Sequence, residues 1–111
     1  MTTNKVKITI DKLLLLLFDA AEIAVEKLDG NFTKILLEDY ATGDIYVLST
    51  NILWELLYAK GYLRLTQEAS YPHRMNNNKI ISKTQQIYSI SDHGKNYIKF
   101  KYPGIRNGAK P

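Results

Sequence analysis

The chain has 111 residues, enough for one domain with one modest core, and its 45% hydrophobic and 23% charged residues place it well outside the disordered class. It has no cysteine, which excludes a disulfide framework and thiol chemistry and fits a reducing compartment. Its net charge of +4 is divided unevenly: residues 1–57 carry five Lys/Arg against nine Asp/Glu, and residues 58–111 carry ten against two. Such a basic half is either a footprint for a polyanion or a lysine-rich solvated surface.

In chain order, residues 1–8 read as a polar arm with weak strand character. Thr9 or Asp11 is placed to cap a helix running to about Leu28, because Leu13, Leu14, Leu17, Ala20, Ala21, Ala24, Val25 and Leu28 recur at three- and four-residue steps. The apolar run Leu13–Phe18 stops at Asp19. It is too short for a secretory segment of roughly 7–15 residues or a spanning helix of about 20, so a cytoplasmic protein with no membrane partner is expected. Asp29-Gly30-Asn31 reads as a helix stop followed by a new cap, and a second helix is expected over about residues 33–40. Residues 41–44 form a turn and 45–47 a brief extended piece. Ser49 or Thr50 caps a third helix, Asn51–Lys60, which Gly61 closes.

The period then changes. Residues 62–66 and 85–91 read as strands, with Tyr88 and Ile90 on one face and Ile87 on the other. Between them lies a long polar, basic loop with Pro72, His73, Arg74, Asn76, Asn77, Asn78, Lys79 and Lys83. Ser91 or Asp92 caps a last helix to about Phe100, and residues 103–111 read as a basic tail. The whole chain, 1–111, is expected to be a single domain.

The residues suited to catalysis or metal binding do not cluster. The two histidines, His73 and His93, lie in separate elements with no cysteine beside them. No glycine-rich phosphate cradle occurs. Glu38 and Asp39 are adjacent on an expected helix and would point apart. The expectation is therefore no enzyme, no cofactor and no metal site.

Two segments carry a resemblance. Leu53-Trp54-Glu55-Leu56-Leu57-Tyr58-Ala59-Lys60-Gly61-Tyr62-Leu63 resembles the exit of a winged-helix recognition helix. Tyr88-Ser89-Ile90-Ser91-Asp92-His93-Gly94-Lys95-Asn96-Tyr97-Ile98 resembles the return strand and final helix of MarR- and PadR-like regulators. The resemblance implies an α+β, mostly helical winged helix-turn-helix fold with a two- or three-stranded β-wing, binding double-stranded DNA as a homodimer. In such a fold Ser49, Thr50 and Asn51, at the start of the third helix, face the major groove, or else simply cap the helix. His73, Arg74, Asn77, Lys79 and Lys83 belong to the wing, and Arg64 to its base.

The third helix departs from that pattern. It has no Lys or Arg before Lys60 and is apolar nearly all round, with Ile52 and Leu56 toward the core and Trp54 and Tyr58 beside Leu53 and Leu57. Trp54 and Tyr58 then pack either across a two-fold axis or in the monomer core under the wing. Leu15, which interrupts the polar stripe of the first helix, joins them as a dimer-interface candidate. A recognition helix held in a dimer interface resembles the TubR group, the DNA-binding adaptors of phage and plasmid partition systems that use the tubulin-like TubZ. That implies centromere binding, autorepression and a TubZ filament as partner. The alternatives are a simple autorepressing transcriptional regulator, or a winged-helix protein–protein interaction module without specific DNA binding.

Overall fold

The computed structural model describes residues 3–4 and 8–104. Strands dominate it. In chain order the elements are β1 (Thr3–Asn4), α1 (Ile10–Asp19), β2 (Glu22–Leu28), β3 (Asn31–Asp39), β4 (Asp44–Val47), α2 (Thr50–Trp54), β5 (Leu63–Arg74), β6 (Ile80–Ile90) and α3 (Asp92–Lys101). They form one six-stranded sheet in the order β1-β4-β3-β2-β6-β5, antiparallel except for the short β1–β4 pair.

This sheet overturns the expected winged helix-turn-helix. The long first helix ends at Asp19, where Ala20 and Ala21 both donate to the Leu16 carbonyl, and the rest of its expected length is β2. The expected second helix is β3. With the strands β2, β3 and β4 between α1 and α2, the two helices form no helix-turn-helix pair, and the fold is a mixed sheet covered on one face.

The physical reason lies at Asp29-Gly30. Both residues have positive φ, 51° and 82°, as a two-residue hairpin turn of the primed type requires. On either side the buried positions step by two: Ile23 and Val25 in β2, Ile35, Leu37 and Asp39 in β3. Residues 22, 24, 26, 34, 36 and 38 point to the opposite face. A bulge at Thr33 is held by its hydroxyl, which donates to the Glu26 carbonyl at 3.2 Å and to Glu26 Oε1 at 3.1 Å.

The helices cover one face. Leu13, Leu14, Leu17 and Phe18 of α1, Leu53 and Leu56 of the α2 segment and Ile98 of α3 bury against Ile23, Val25, Ile35, Leu37, Tyr88 and Ile90. The starts of these helices were legible in the sequence. Thr9, Ser49 and Ser91 each accept from a backbone N–H three residues on, at 3.1–3.2 Å. After Trp54 the helix widens into a π-turn, Glu55–Ala59, and Gly61 closes it at φ 67°. Two π-turn residues, Glu55 and Leu56, accept from Lys60 and Tyr62 N–H.

Asp11 clasps the start of α1 to the C-terminal part of α3. Its Oδ1 accepts from the Tyr97 hydroxyl at 2.8 Å, and its Oδ2 from the Tyr102 hydroxyl at 2.9 Å and the Lys101 ammonium at 2.6 Å. The Lys101 bond, and then the Tyr97 bond, hold the Asp11 carboxyl below the usual carboxylate range. The same pairing pushes Lys101 up. A group whose pKa is depressed by folding stabilises the fold fully above its unfolded value, about 3.9, and loses that contribution as pH falls through its lower folded value. Asp11→Asn is therefore expected to lower the urea midpoint at pH 7 by a small amount, with the gap to the parent closing below about pH 4. Paired urea titrations at pH 7 and pH 3 check this; an equal gap at both would show that the carboxylate charge is not what matters.

Candidate nucleic-acid interface

The residues between the two expected strands do not form a loop. They extend both strands into one long hairpin, with β5 pairing β6 from Leu63↔Ile90 to Arg74↔Ile80. Its inner part belongs to the sheet. A bulge at Thr66, whose hydroxyl donates to the Ile87 carbonyl at 3.0 Å, lets β5 bend along β6. Beneath it the Tyr88 hydroxyl donates to Gln86 Oε1, and Gln86 Nε2 donates to Glu68. Burial pushes the Tyr88 phenol up, so this chain holds its proton.

The hairpin outruns its neighbour. β2 pairs β6 only as far as Leu28↔Lys83, and Asp29 N–H makes a last bond to the Ser82 carbonyl at 2.7 Å. Beyond Pro72↔Ser82 the ribbon is two-stranded: His73↔Ile81, then Arg74↔Ile80, then the turn. Met75 N–H donates to the Lys79 carbonyl at 2.7 Å and Asn78 N–H to the Met75 carbonyl at 2.9 Å. Asn77 Oδ1 accepts from Lys79 N–H at 3.0 Å, and Asn78 sits at φ 66°. Asparagine suits both tasks, since it tolerates the left-handed region and its side chain mimics a backbone acceptor. β5 is also an edge strand, and Pro72 on it has no N–H to offer a further strand.

The structure gathers some of the expected DNA-binding residues and scatters others. His73, Arg74, Asn77 and Lys79 share the projecting tip, with Arg74 and Lys79 exposed. Lys83 lies at its root, 3.9 Å from Glu26, so part of its charge is offset. Arg64 pairs with Ser89 at the other end of β5, ten residues or roughly 33 Å from Arg74. Ser49, Thr50 and Asn51 follow β4, with β3 and β2 between β4 and the hairpin. Ser49 is engaged as the cap of α2.

The dimer-interface candidates also divide. Trp54 and Tyr58 are exposed, 42% and 67%, and do not belong to the core. Their rings stack at 4.7 Å, and Phe32 meets Trp54 edge-on at 5.8 Å beneath the Lys27 ammonium. Leu15 packs half-buried against the core on α1.

Two features escaped the sequence reading. One is the uncovered sheet face, where Val47, Leu36, Ala24 and Ile87 form an apolar row across four strands. A cleft of about 400 Å³ on this face is bounded by Ala24, Glu26, Leu36, Gln67, Gln85 and Ile87. The alternation in 22–28 was the available signal. The other is the apolar character of the hairpin tip, where Ile80 is 57% and Met75 38% exposed. Among the described residues no group of three or more His, Asp or Glu is placed to hold a metal ion, and no helix is long and apolar enough to cross a membrane.

No family model, no curated protein and no solved structure matches the chain. The likeness to MarR- and PadR-like regulators and to the TubR group falls with the winged-helix fold, and the TubZ filament, expected only through it, is left without support.

Proposed function

We propose that the protein binds double-stranded DNA through the β5–β6 hairpin. The observation that supports this is a cationic two-stranded ribbon projecting beyond the sheet, with His73, Arg74 and Lys79 at its tip and Lys83 at its root. A two-stranded ribbon fits a DNA groove, and lysine and arginine on it bind phosphates by releasing counterions. The surplus of cations in residues 58–111 adds a long-range attraction. A second copy would bring a second hairpin to the same duplex, and the exposed Trp54–Tyr58 stack is the contact we assign to it.

Fluorescence anisotropy with duplex DNA at several salt concentrations tests this. Three cations, Arg74, Lys79 and Lys83, give an expected slope of log K against log salt of about −2.7 per protomer. The Arg74→Ala/Lys79→Ala variant is expected to bind roughly tenfold or more weakly and to flatten that slope by about 1.8. An unchanged slope, or no binding by the parent even at low salt, would remove the proposal. Counting protomers on DNA upstream of the gene separates two uses: one dimer fits an autorepressor, and many fit a partition adaptor.

The uncovered apolar row of Val47, Leu36, Ala24 and Ile87 favours a second reading, an interaction module that takes a protein on its open sheet face. A parent protein that ignores DNA would favour it.

A further inference from the structure

The tip of the hairpin is unusual for an arm that only neutralises phosphates. Ile80 and Met75 stand exposed there, on opposite faces of the ribbon, with no third strand and no helix among the described residues behind them; Tyr71 and Ile81 continue the Met75 face toward the root, and Pro72 continues the Ile80 face. Exposed aliphatic side chains at a polar turn contribute nothing to the core. In register, Ile80 lies opposite Arg74, and Met75 lies opposite Lys79. Each apolar side chain is thus paired across the ribbon with a cation. Three consecutive asparagines, Asn76–Asn78, close the end.

We infer that the hairpin enters the minor groove and wedges Ile80 and Met75 between base steps, bending the duplex. This rests on the DNA-binding reading above. Isoleucine and methionine are among the side chains that part stacked bases, while arginine, lysine and asparagine suit the minor-groove edges of A·T pairs. Size argues the same way. Two strands about 4.8 Å apart with side chains on both faces exceed a minor groove about 6 Å wide. Entry therefore requires the groove to open, and parting a base step opens it. The major groove, about 12 Å wide, would take the ribbon undistorted and give the apolar tip nothing to bury against except thymine methyl groups. The three amides argue against insertion into lipid, where each would lose its water.

The test uses a 30-base-pair A·T-rich duplex carrying a donor and an acceptor dye at its ends, with 2-aminopurine at central steps. The parent protein is expected to raise energy transfer and 2-aminopurine emission together. Ile80→Ser/Met75→Ser removes no core contact, so its melting temperature should match the parent's. It is expected to hold DNA within about threefold of the parent and to lose both signals. Binding by the parent with no change in either signal would overturn the wedge and leave DNA binding standing, as would a variant that still bends. No binding by either protein would remove both readings. Vesicles of phosphatidylcholine and phosphatidylglycerol form the last arm: capture that the serine variant abolishes, with DNA signals unaffected, assigns the tip to lipid and overturns the wedge.

Discussion

Gly94→Ala is expected to destabilise the protein by about 1–3 kcal/mol. In an exposed helix the same change would stabilise by about 1 kcal/mol, so the sign itself is the test. A Cβ at position 94 would lie 2.8 Å from Ile90 Cγ1 and 2.8 Å from the Tyr62 carbonyl oxygen. The isoleucine could turn, but the carbonyl cannot retreat. It accepts from Ser91 N–H at 2.7 Å, while the Ser91 hydroxyl donates to the Gly61 carbonyl at 2.7 Å and accepts from Gly94 N–H at 3.1 Å. The Tyr62 ring is pinned as well, against His93 at 5.4 Å and stacked on Tyr97 at 5.0 Å. Relief would have to come from α3 lifting off the sheet, which would strain the Asp11 clasp at its far end. Urea unfolding of Gly94→Ala beside Lys99→Ala, an exposed change on the same helix expected to fall within about 0.5 kcal/mol of the parent, reads this directly. A Gly94→Ala protein as stable as its parent would show that the contact yields.

What the sequence disclosed, and what it hid, follows from the range of each interaction. Helix starts are local: Thr9, Ser49 and Ser91 cap through bonds that span three residues, and each is visible from its neighbours. The strand Ile80–Ile90 was half visible because Tyr88 and Ile90 alternate with Ile87. Residues 22–39 were misread because their apolar positions fit both periods. Ala21, Ala24, Val25 and Leu28 fit a helix, whereas Ile23 and Val25 fit a strand, and only the pairing of Ile23 with both Leu37 and Tyr88 decides between them. Asp29-Gly30 was the local clue that favoured the hairpin, but it also serves as a helix stop.

The candidate site was legible in composition and not in shape. The cations of 73–83 stand out in any reading, and they remain the residues on which DNA binding is proposed. Their register does not stand out, because the polar run Pro72–Lys83 carries no long alternation to mark it as paired strands. Ser49, Thr50, Asn51 and Arg64 were grouped with them only by the order of elements in a different fold, and that grouping dissolves once β3 and β2 separate α2 from the hairpin. Trp54 and Tyr58, four residues apart, share the outer face of their helix while Leu53 and Leu56 face the core, as a 3.6 period predicts; only the widening of the last turn, Glu55–Ala59, has no signal in the sequence.

One pair of substitutions separates residue type from residue place. Phe18, on α1, is 1% exposed and enclosed by the sheet and its helices; Phe100, on α3, is 87% exposed. Both lie on helices expected from the sequence, and neither helix pattern told them apart. Phe18→Ala is expected to cost about 3–5 kcal/mol, because the lost transfer energy is joined by a cavity that a one-layer core under a stiff sheet fills poorly. Against a typical domain stability of about 5–15 kcal/mol, that takes away much of what holds this small fold. Phe100→Ala removes a ring already in water and is expected to change stability by no more than about 0.5 kcal/mol. Urea unfolding of both variants at one protein concentration is the measurement. Equal losses would mean that α3 carries its Phe100 face into a contact as well packed as the one around Phe18, and the one-sided helical layer described above would have to be redrawn as the inner part of a larger assembly.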